Sequence, residues 1–312
     1  MMNVRTRFAC LLRGLTVVCG IAVMLSASAK FASATVVRFK TSLGDVNVRL
    51  YDSLTPFSAA NFLNYTNTNR YDGTFIHRVP QHKDLDGNNL GTQHFVVQGG
   101  GFRLNNSIWA ASGIATDAPI GDEFAISNTR GTLAFAKNSL GATSQWFFNV
   151  GDNSFLDASD FTVFGRVLGN GMSIVDAIDN LTAINARAAE NGSGEDFDEI
   201  PIRNPLTQND ITSNEAVMIN DMQVLNLPAG DYNADGKVDG ADLTVWKSSF
   251  GSTSKAEADG NGNGRVDGDD FLIWQRTLGQ NFGAPAAGVV PEPAAAALAL
   301  FGAAALLRRR RR

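Results

Sequence analysis

Three stretches of this 312-residue chain carry residue types with chemistry to offer. The first runs from Thr74 to Gly101. It opens on Phe75-Ile76-His77-Arg78-Val79 and closes on Phe95-Val96-Val97-Gln98-Gly99-Gly100. The second is Ala142-Thr143-Ser144-Gln145-Trp146-Phe147-Phe148-Asn149-Val150, with Phe155-Leu156-Asp157 after it. One cation, one exposed-looking aromatic and one amide donor, brought together by two short strands, would make a small site with no nucleophile.

The third stretch is a repeat. Asp231 to Asp242 (DYNADGKVDGAD) returns 28 residues later as Asp259 to Asp270 (DGNGNGRVDGDD). In the first copy, loop positions 1, 3, 5, 9 and 12 are Asp231, Asn233, Asp235, Asp239 and Asp242, with Gly236 at position 6. In the second they are Asp259, Asn261, Asn263, Asp267 and Asp270, with Gly264. Calcium takes six to eight oxygens, and a 12-residue loop wraps it only if position 6 turns sharply. The main-chain carbonyls of Lys237 and Arg265 at position 7 complete each set, so two structural Ca2+ sites are expected. A flexible acidic linker would not repeat in register.

The order of residues in the first two stretches resembles the cyclophilin family of peptidyl-prolyl cis-trans isomerases, closest to its bacterial periplasmic branch. The resemblance covers about Thr35 to Leu227. It implies a mainly β fold, a closed eight-stranded antiparallel barrel capped by two helices, with no cofactor for the chemistry and proline-containing polypeptides as substrates. It also implies roles. Rotation about an X-Pro bond passes through a twisted amide, over a barrier of about 18–20 kcal/mol. Its nitrogen is then a better acceptor, and the permanently charged Arg78 would stabilise that form selectively. Phe95 and Gln98 would complete the catalytic set. Val96, Ala136, Gln145, Phe147, Phe155, Leu156 and Phe161 would line the substrate groove, which must be apolar to take a proline ring. Read alone, Arg78 could equally be an arginine that only pairs with a nearby carboxylate. Two rival readings of the whole remain: a low-turnover module that binds proline peptides, and a purely structural surface component whose pocket residues could change freely.

The chain departs from the family in three places. Sixteen residues separate Arg78 from Phe95, where the family usually has four. The insertion carries His82, Asp84, Asp86, Asn88 and His94, and reads as a flap or rim loop. Phe155 stands where cyclosporin-sensitive members have tryptophan, and Phe161 replaces the family histidine.

The repeat resembles a dockerin, with aspartate at position 12 and one helix after each loop, near Leu243–Phe250 and Phe271–Leu278. That makes residues 228–282 a small α-helical calcium-binding domain. Its core is small, so it should need the ion to fold. A dockerin implies a cohesin-like partner. Here Gly240-Ala241 and Gly268-Asp269 hold the usual Ser-Thr contact positions, so a spacer role stands beside it.

These sites need positioning elements. Val46, Val48 and Leu50 alternate with Asp45, Asn47 and Arg49, the period of a half-buried strand, and Val36 to Leu50 reads as a hairpin. Thr55-Pro56 opens a helix with Thr55 as N-cap. Phe57, Ala59, Ala60, Phe62 and Leu63 supply its buried face. Phe161 to Val167 is a strand, Met172, Val175 and Ile178 share a helix face, Ala189 to Asp198 is a polar surface loop, and Ala216 to Leu225 is the last strand.

Both ends read as sorting signals. Arg5, Arg7 and Arg13 precede the apolar run Leu15–Leu25, and Ala27-Ser28-Ala29 and Ala32-Ser33-Ala34 fit export cleavage sites, so residues 1–34 form a signal peptide. Cys10 and Cys19 lie inside it, leaving the exported chain without thiols. After a linker at 283–289, residues 290–312 hold Pro291-Glu292-Pro293, a short apolar segment and five arginines. They resemble a PEP-CTERM signal, which implies an exosortase and membrane contact before processing; a weak tail anchor is the alternative. Processing would remove nine of the 26 basic residues and at most Glu292 among the 31 acidic ones. The remaining acidity argues against nucleic acid as partner. The expected location is the periplasm, outer membrane or cell surface.

Overall fold

The structure, a computed structural model, describes residues 35–80, 95–186, 197–204, 210–253 and 257–281. The expected signal peptide (1–34) and sorting tail (290–312), the 81–94 insertion and the linker lie outside the described residues, as does most of the 189–198 loop.

The hairpin forms as its alternation predicts. β1 (Val36–Thr41) pairs with β2 (Gly44–Leu50), and Val46, Val48 and Leu50 turn inward. The rest of the sheet is built from β3 (Thr74–Phe75), β4 (Val96–Gly99), β5 (Phe102–Asn105), β6 (Ser107–Gly113), β7 (Thr132–Asn138), β8 (Gly141–Asn149) and β9 (Val163–Val167). Two strands, β10 (Thr182–Ile184) and β11 (Ile200–Ile202), pair separately, and β12 (Met218–Leu225) lies beside β1.

Ten strands pair in one curled antiparallel sheet, in the order β4-β8-β7-β9-β2-β1-β12-β3-β5-β6. The expected count was eight. β5 and β6 add a hairpin beyond β3, held over a second small core by Leu104, Ile108 and Phe197. Just past β3, Arg78 bridges to Gln98 of β4, the first strand in that order. His77 N–H donates to the Gln98 carbonyl at 3.1 Å, and Gln98 N–H to the Arg78 carbonyl at 2.9 Å.

The main core fills the concave side. Phe39 lies edge-on to Trp146 (5.0 Å between centroids) and near Phe62, and Phe135 stacks on Phe164 at 4.2 Å. All are buried, each worth roughly 1.5–3 kcal/mol of apolar transfer. Helix α1 (Pro56–Asn67) and α2 (Gly171–Asp179) pack against it.

Two expectations for α1 need correction. Thr55 makes no side-chain cap; its hydroxyl donates to the Tyr51 carbonyl instead. The Glu123 carboxylate takes that place, accepting the Phe57 N–H at 3.1 Å and the Ser58 N–H at 2.7 Å. Phe57 is 73% exposed and Ala60 is exposed too, because the helix buries Ser58, Ala59, Phe62, Tyr65 and Thr66. Likewise Phe197, read as part of a polar surface loop, is buried against Phe75 and Phe102.

In the repeat, α3 (Gly240–Ser249) and α4 (Gly268–Thr277) each start on a reciprocal aspartate cap. The Ala241 N–H donates to Asp239, and the Asp239 N–H to Asp242; Asp267 and Asp270 do the same for α4. The two copies are tied crosswise. Trp246 Nε1 donates to the Asp267 carbonyl at 2.9 Å, and Trp274 Nε1 to the Asp239 carbonyl at 2.8 Å.

Candidate active site

Strand register brings the polar residues of the site together. Val96 and Gln98 lie two apart on β4 and share one face; Gln145 and Phe147 share one face of β8. Gln98 stands opposite Phe147 in the ladder. The intervening residues, Val97, Trp146 and Phe148, point to the core. The bridge from Gln98 to Arg78 adds the cation.

A linked row of side chains results. Arg78 Nη1 donates to Gln98 Oε1 at 3.3 Å, and Gln98 Nε2 donates to Gln145 Oε1 at 2.8 Å. Gln98 is thereby held at both ends of its amide, with Arg78 half-buried beside it. His77, next to Arg78, is fully buried with neither ring nitrogen hydrogen-bonded. Burial drives its pKa down to about 3; the Gln145 amide beside it pulls the other way, and the Arg78 charge adds to the depression. It is a neutral wall, not an acid.

Beside this row lies an apolar cluster. Val96 and Phe147 are buried in it with Tyr51, Ala134 and Val163, while Phe95, Ala136, Leu156 and Phe161 pack on as partly open walls. Phe147 meets Phe161 edge-on at 6.0 Å. Phe155 is placed differently. It stands outside the cluster, 62% exposed, stacked on Phe95 at 5.7 Å, and forms an outer rim.

A buried amide network behind the cluster escaped sequence reasoning. Asn153 Nδ2 donates to the Phe95 carbonyl at 2.8 Å and to Asn149 Oδ1 at 2.7 Å. Asn149 Nδ2 reaches Asn128 Oδ1 and Thr132 Oγ1. Asn128 Nδ2 holds the Phe161 carbonyl at 2.9 Å and Asp157 at 3.0 Å. Burial alone would raise the Asp157 pKa, but hydrogen bonds from Ser127 and from the backbone and side chain of Asn128 outweigh it and hold the carboxyl below its usual range. The network thus pins the backbones of Phe95 and Phe161 and the 3₁₀ turn Ser154–Ser159 that carries Phe155 and Leu156. The only sequence signal was an excess of asparagine near the aromatics.

The repeat loops form a separate site. Asp231, Asp242, Asp259 and Asp270, at positions 1 and 12, are all fully buried. Their oxygens accept loop N–H groups, Gly236 and Asp235 on Asp231, Gly264 and Asn263 on Asp259. Asn233 and Asp235, like Asn261 and Asn263, turn onto the loop itself, with Asn233 Nδ2 donating to Asp235. Among the described residues no three acidic or imidazole groups converge on one point as the side chains stand. Burial raises Asp231 to about 6, and Asp242 and Asp235 push it the same way. Burial, with Asp259, does the same for Asp270. Buried oxygen donors that repel one another are a donor set suited to a hard cation.

Among the described residues, an apolar cluster on a curled antiparallel sheet is edged by Arg78, Gln98 and Gln145. Comparison with known proteins agrees. Residues 36–196 match the family model of cyclophilin type peptidyl-prolyl cis-trans isomerases, and residues 229–279 that of the dockerin type I domain. A peptidyl-prolyl cis-trans isomerase of Acinetobacter baylyi is 42% identical over 162 residues, 49% of this chain and 77% of the relative. Peptidyl-prolyl cis-trans isomerase A of Dickeya dadantii is 35% identical over 167 residues, 51% of this chain and 78% of the relative. Peptidyl-prolyl cis-trans isomerase B of Escherichia coli is 36% identical over 153 residues, 46% and 82% respectively. A solved cyclophilin-type isomerase of Cryptosporidium parvum aligns with a TM-score of 0.41 at 18% identity, over 62% of this chain and 99% of that one. The chain belongs to the cyclophilin-type peptidyl-prolyl cis-trans isomerase family, and it is an enzyme of that class.

Proposed function

We propose that this chain is an exported prolyl isomerase that acts on surface or secreted polypeptides through Arg78. The observation that carries the reading is the row Arg78–Gln98–Gln145 along one edge of the Phe95, Val96, Phe147, Leu156 and Phe161 cluster. A proline ring fits the apolar side. Its carbonyl meets the amide edge, and the guanidinium faces the proline nitrogen. As the amide twists, that nitrogen gains electron density and draws a stronger hydrogen bond from Arg78 than either planar isomer does. A donor stronger in the transition state than in the ground state lowers the barrier. No proton moves, which suits a site flanked by the neutral His77.

Residues 35–227 make the isomerase domain in this reading, and 228–282 a dockerin-like domain. The first loop offers Asp231, Asn233, Asp235, Asp239, Asp242 and the Lys237 carbonyl to Ca2+, and the second offers Asp259, Asn261, Asn263, Asp267, Asp270 and the Arg265 carbonyl. The ion would neutralise the buried aspartates that now repel one another. A signal peptide at 1–34 and a PEP-CTERM segment at 290–312, with exosortase as processing partner, account for the arginines and apolar runs at both ends. Among the described residues no helix is long and apolar enough to cross a membrane. For the repeat, a cohesin-like partner and a calcium-stabilised spacer between enzyme and tail stand side by side.

The test is a prolyl isomerase assay on the exported chain, wild type against Arg78→Ala and Arg78→Lys. A donor of this kind is worth about 10²–10³ in rate; Arg78 is half-open to solvent, so we expect about 10² lost in Arg78→Ala and part of it kept in Arg78→Lys. An inactive but folded wild type would turn the reading to a binding module.

A further inference from the structure

The outer face of β2 holds an arginine that strand alternation marks for solvent, yet Arg49 is only 3% exposed. The calcium-type repeat covers it. Arg49 Nη1 donates to the Glu257 carbonyl at 2.5 Å and Nη2 to the Asp231 carbonyl at 3.0 Å, and the guanidinium lies 5.5 Å from the Tyr232 ring centroid. Its ladder partner on β9 is Arg166, also buried. Two like charges directly opposite on a sheet destabilise it. Here the counter-charge comes from the repeat, where the Glu257 carboxylate lies 3.4 Å from Arg166 Nε.

Both loops also rest on the turns that leave the sheet after β2 and β9. Ser53 Oγ donates to the Gly262 carbonyl of the second loop. In the first, the Asn233 carbonyl oxygen lies so close to Gly169 that a Cβ there would come within 2.5 Å of it. These residues belong to one compact unit of the chain.

We propose that the repeat is an intramolecular lobe latched by Arg49, so that filling the loops and docking them on the sheet form one coupled equilibrium. This rests on the calcium reading above. Asp231, whose carbonyl Arg49 holds, is also the first oxygen donor of its loop, so ordering the loop for an ion orders the latch. Reciprocity follows: whatever docking adds to calcium affinity, calcium adds to docking. The sign separates this from plain electrostatics. Removing a positive charge beside Asp231 and Asp259 would by itself raise affinity for a cation, whereas removing a latch lowers it.

The experiment uses the full exported chain with Ca2+ as the probe. Calorimetry measures calcium affinity for wild type, Arg49→Met and Glu257→Gln, and hydrogen exchange follows β2 and β9 with and without chelator. We expect affinity to fall about tenfold in Arg49→Met, within the usual range of coupling between sites, and less in Glu257→Gln. Chelation should speed exchange in β2 and β9 of the wild type, a readout that stands even if Arg49→Met does not fold. Unchanged or higher affinity in Arg49→Met overturns the proposal, as does exchange in β2 and β9 indifferent to chelation while the wild type still binds calcium. A wild type that binds no calcium overturns it together with the calcium reading.

Discussion

Replacing Asn153 tests whether buried amides, and not only aromatic packing, hold the Phe95–Phe147–Phe161 cluster in shape. Its side chain gives two hydrogen bonds, to the Phe95 carbonyl at 2.8 Å and to Asn149 Oδ1 at 2.7 Å. The Phe95 carbonyl keeps a second donor in the Val150 N–H, but Asn149 is fully buried and its Oδ1 would lose this partner. An acceptor stranded in the interior costs about 1–3 kcal/mol. Adding the small cavity, Asn153→Ala should lose about 2–3 kcal/mol, or roughly 5–10 °C in melting temperature for a domain of this size. Asn153→Asp keeps the volume but turns a carboxylate onto two acceptors. If polarity governs the site, Asp is worse than Ala; if volume governs it, Asp is milder. Thermal melting with steady-state isomerase kinetics decides between them. Phe95 loses a backbone tether in either variant, so KM should rise several-fold with kcat little changed, the mark of lost uniform binding. A milder Asp than Ala, or a melting temperature within a degree of wild type for both, would refute the reasoning.

Other consequences follow from the same contacts. Glu123→Ala uncovers the first N–H groups of α1 and should cost about 1 kcal/mol, read as a drop of about 2–4 °C in melting temperature. The Asp157 carboxyl is held below its ordinary range, so its contribution to stability is complete above about pH 4, the unfolded value, and fades as pH falls through the lower folded one. Urea midpoints at pH 6 and pH 3 should therefore fall farther in wild type than in Asp157→Asn. With Phe155 exposed on the rim where cyclosporin-sensitive cyclophilins carry tryptophan, cyclosporin should bind weakly while activity is kept. A submicromolar dissociation constant by titration would contradict that.

Much of the site could be read from the chain alone, because its residue types carry their own signals. Arg78, Gln98 and Gln145 are polar groups set in apolar strands, and a period of two puts Gln98 with Val96 and Gln145 with Phe147 on shared faces. The duplicated 12-residue loop was equally plain, since a repeat in register needs no tertiary information. Helix α1 was legible in existence but not in its cap or its buried side. Its first N–H groups are satisfied by Glu123, 66 residues beyond Phe57, and no local pattern announces such a partner.

What only the tertiary structure decided lies at long range. Asn128, Asn149 and Asn153 look like ordinary turn or strand-end residues until the fold buries them together behind Phe95 and Phe161. Phe155 carries the same hydrophobicity as Phe147, yet one is rim and the other wall, because exposure is set by which strand covers it. Arg49 is the clearest case. Its place in an alternating strand determines that it points outward, and the strand formed as that pattern requires. Whether outward means solvent was settled by Asp231, 182 residues later, whose backbone oxygen meets its guanidinium. A local period fixes the side of the sheet that a side chain takes; only the folded chain supplies what lies on that side.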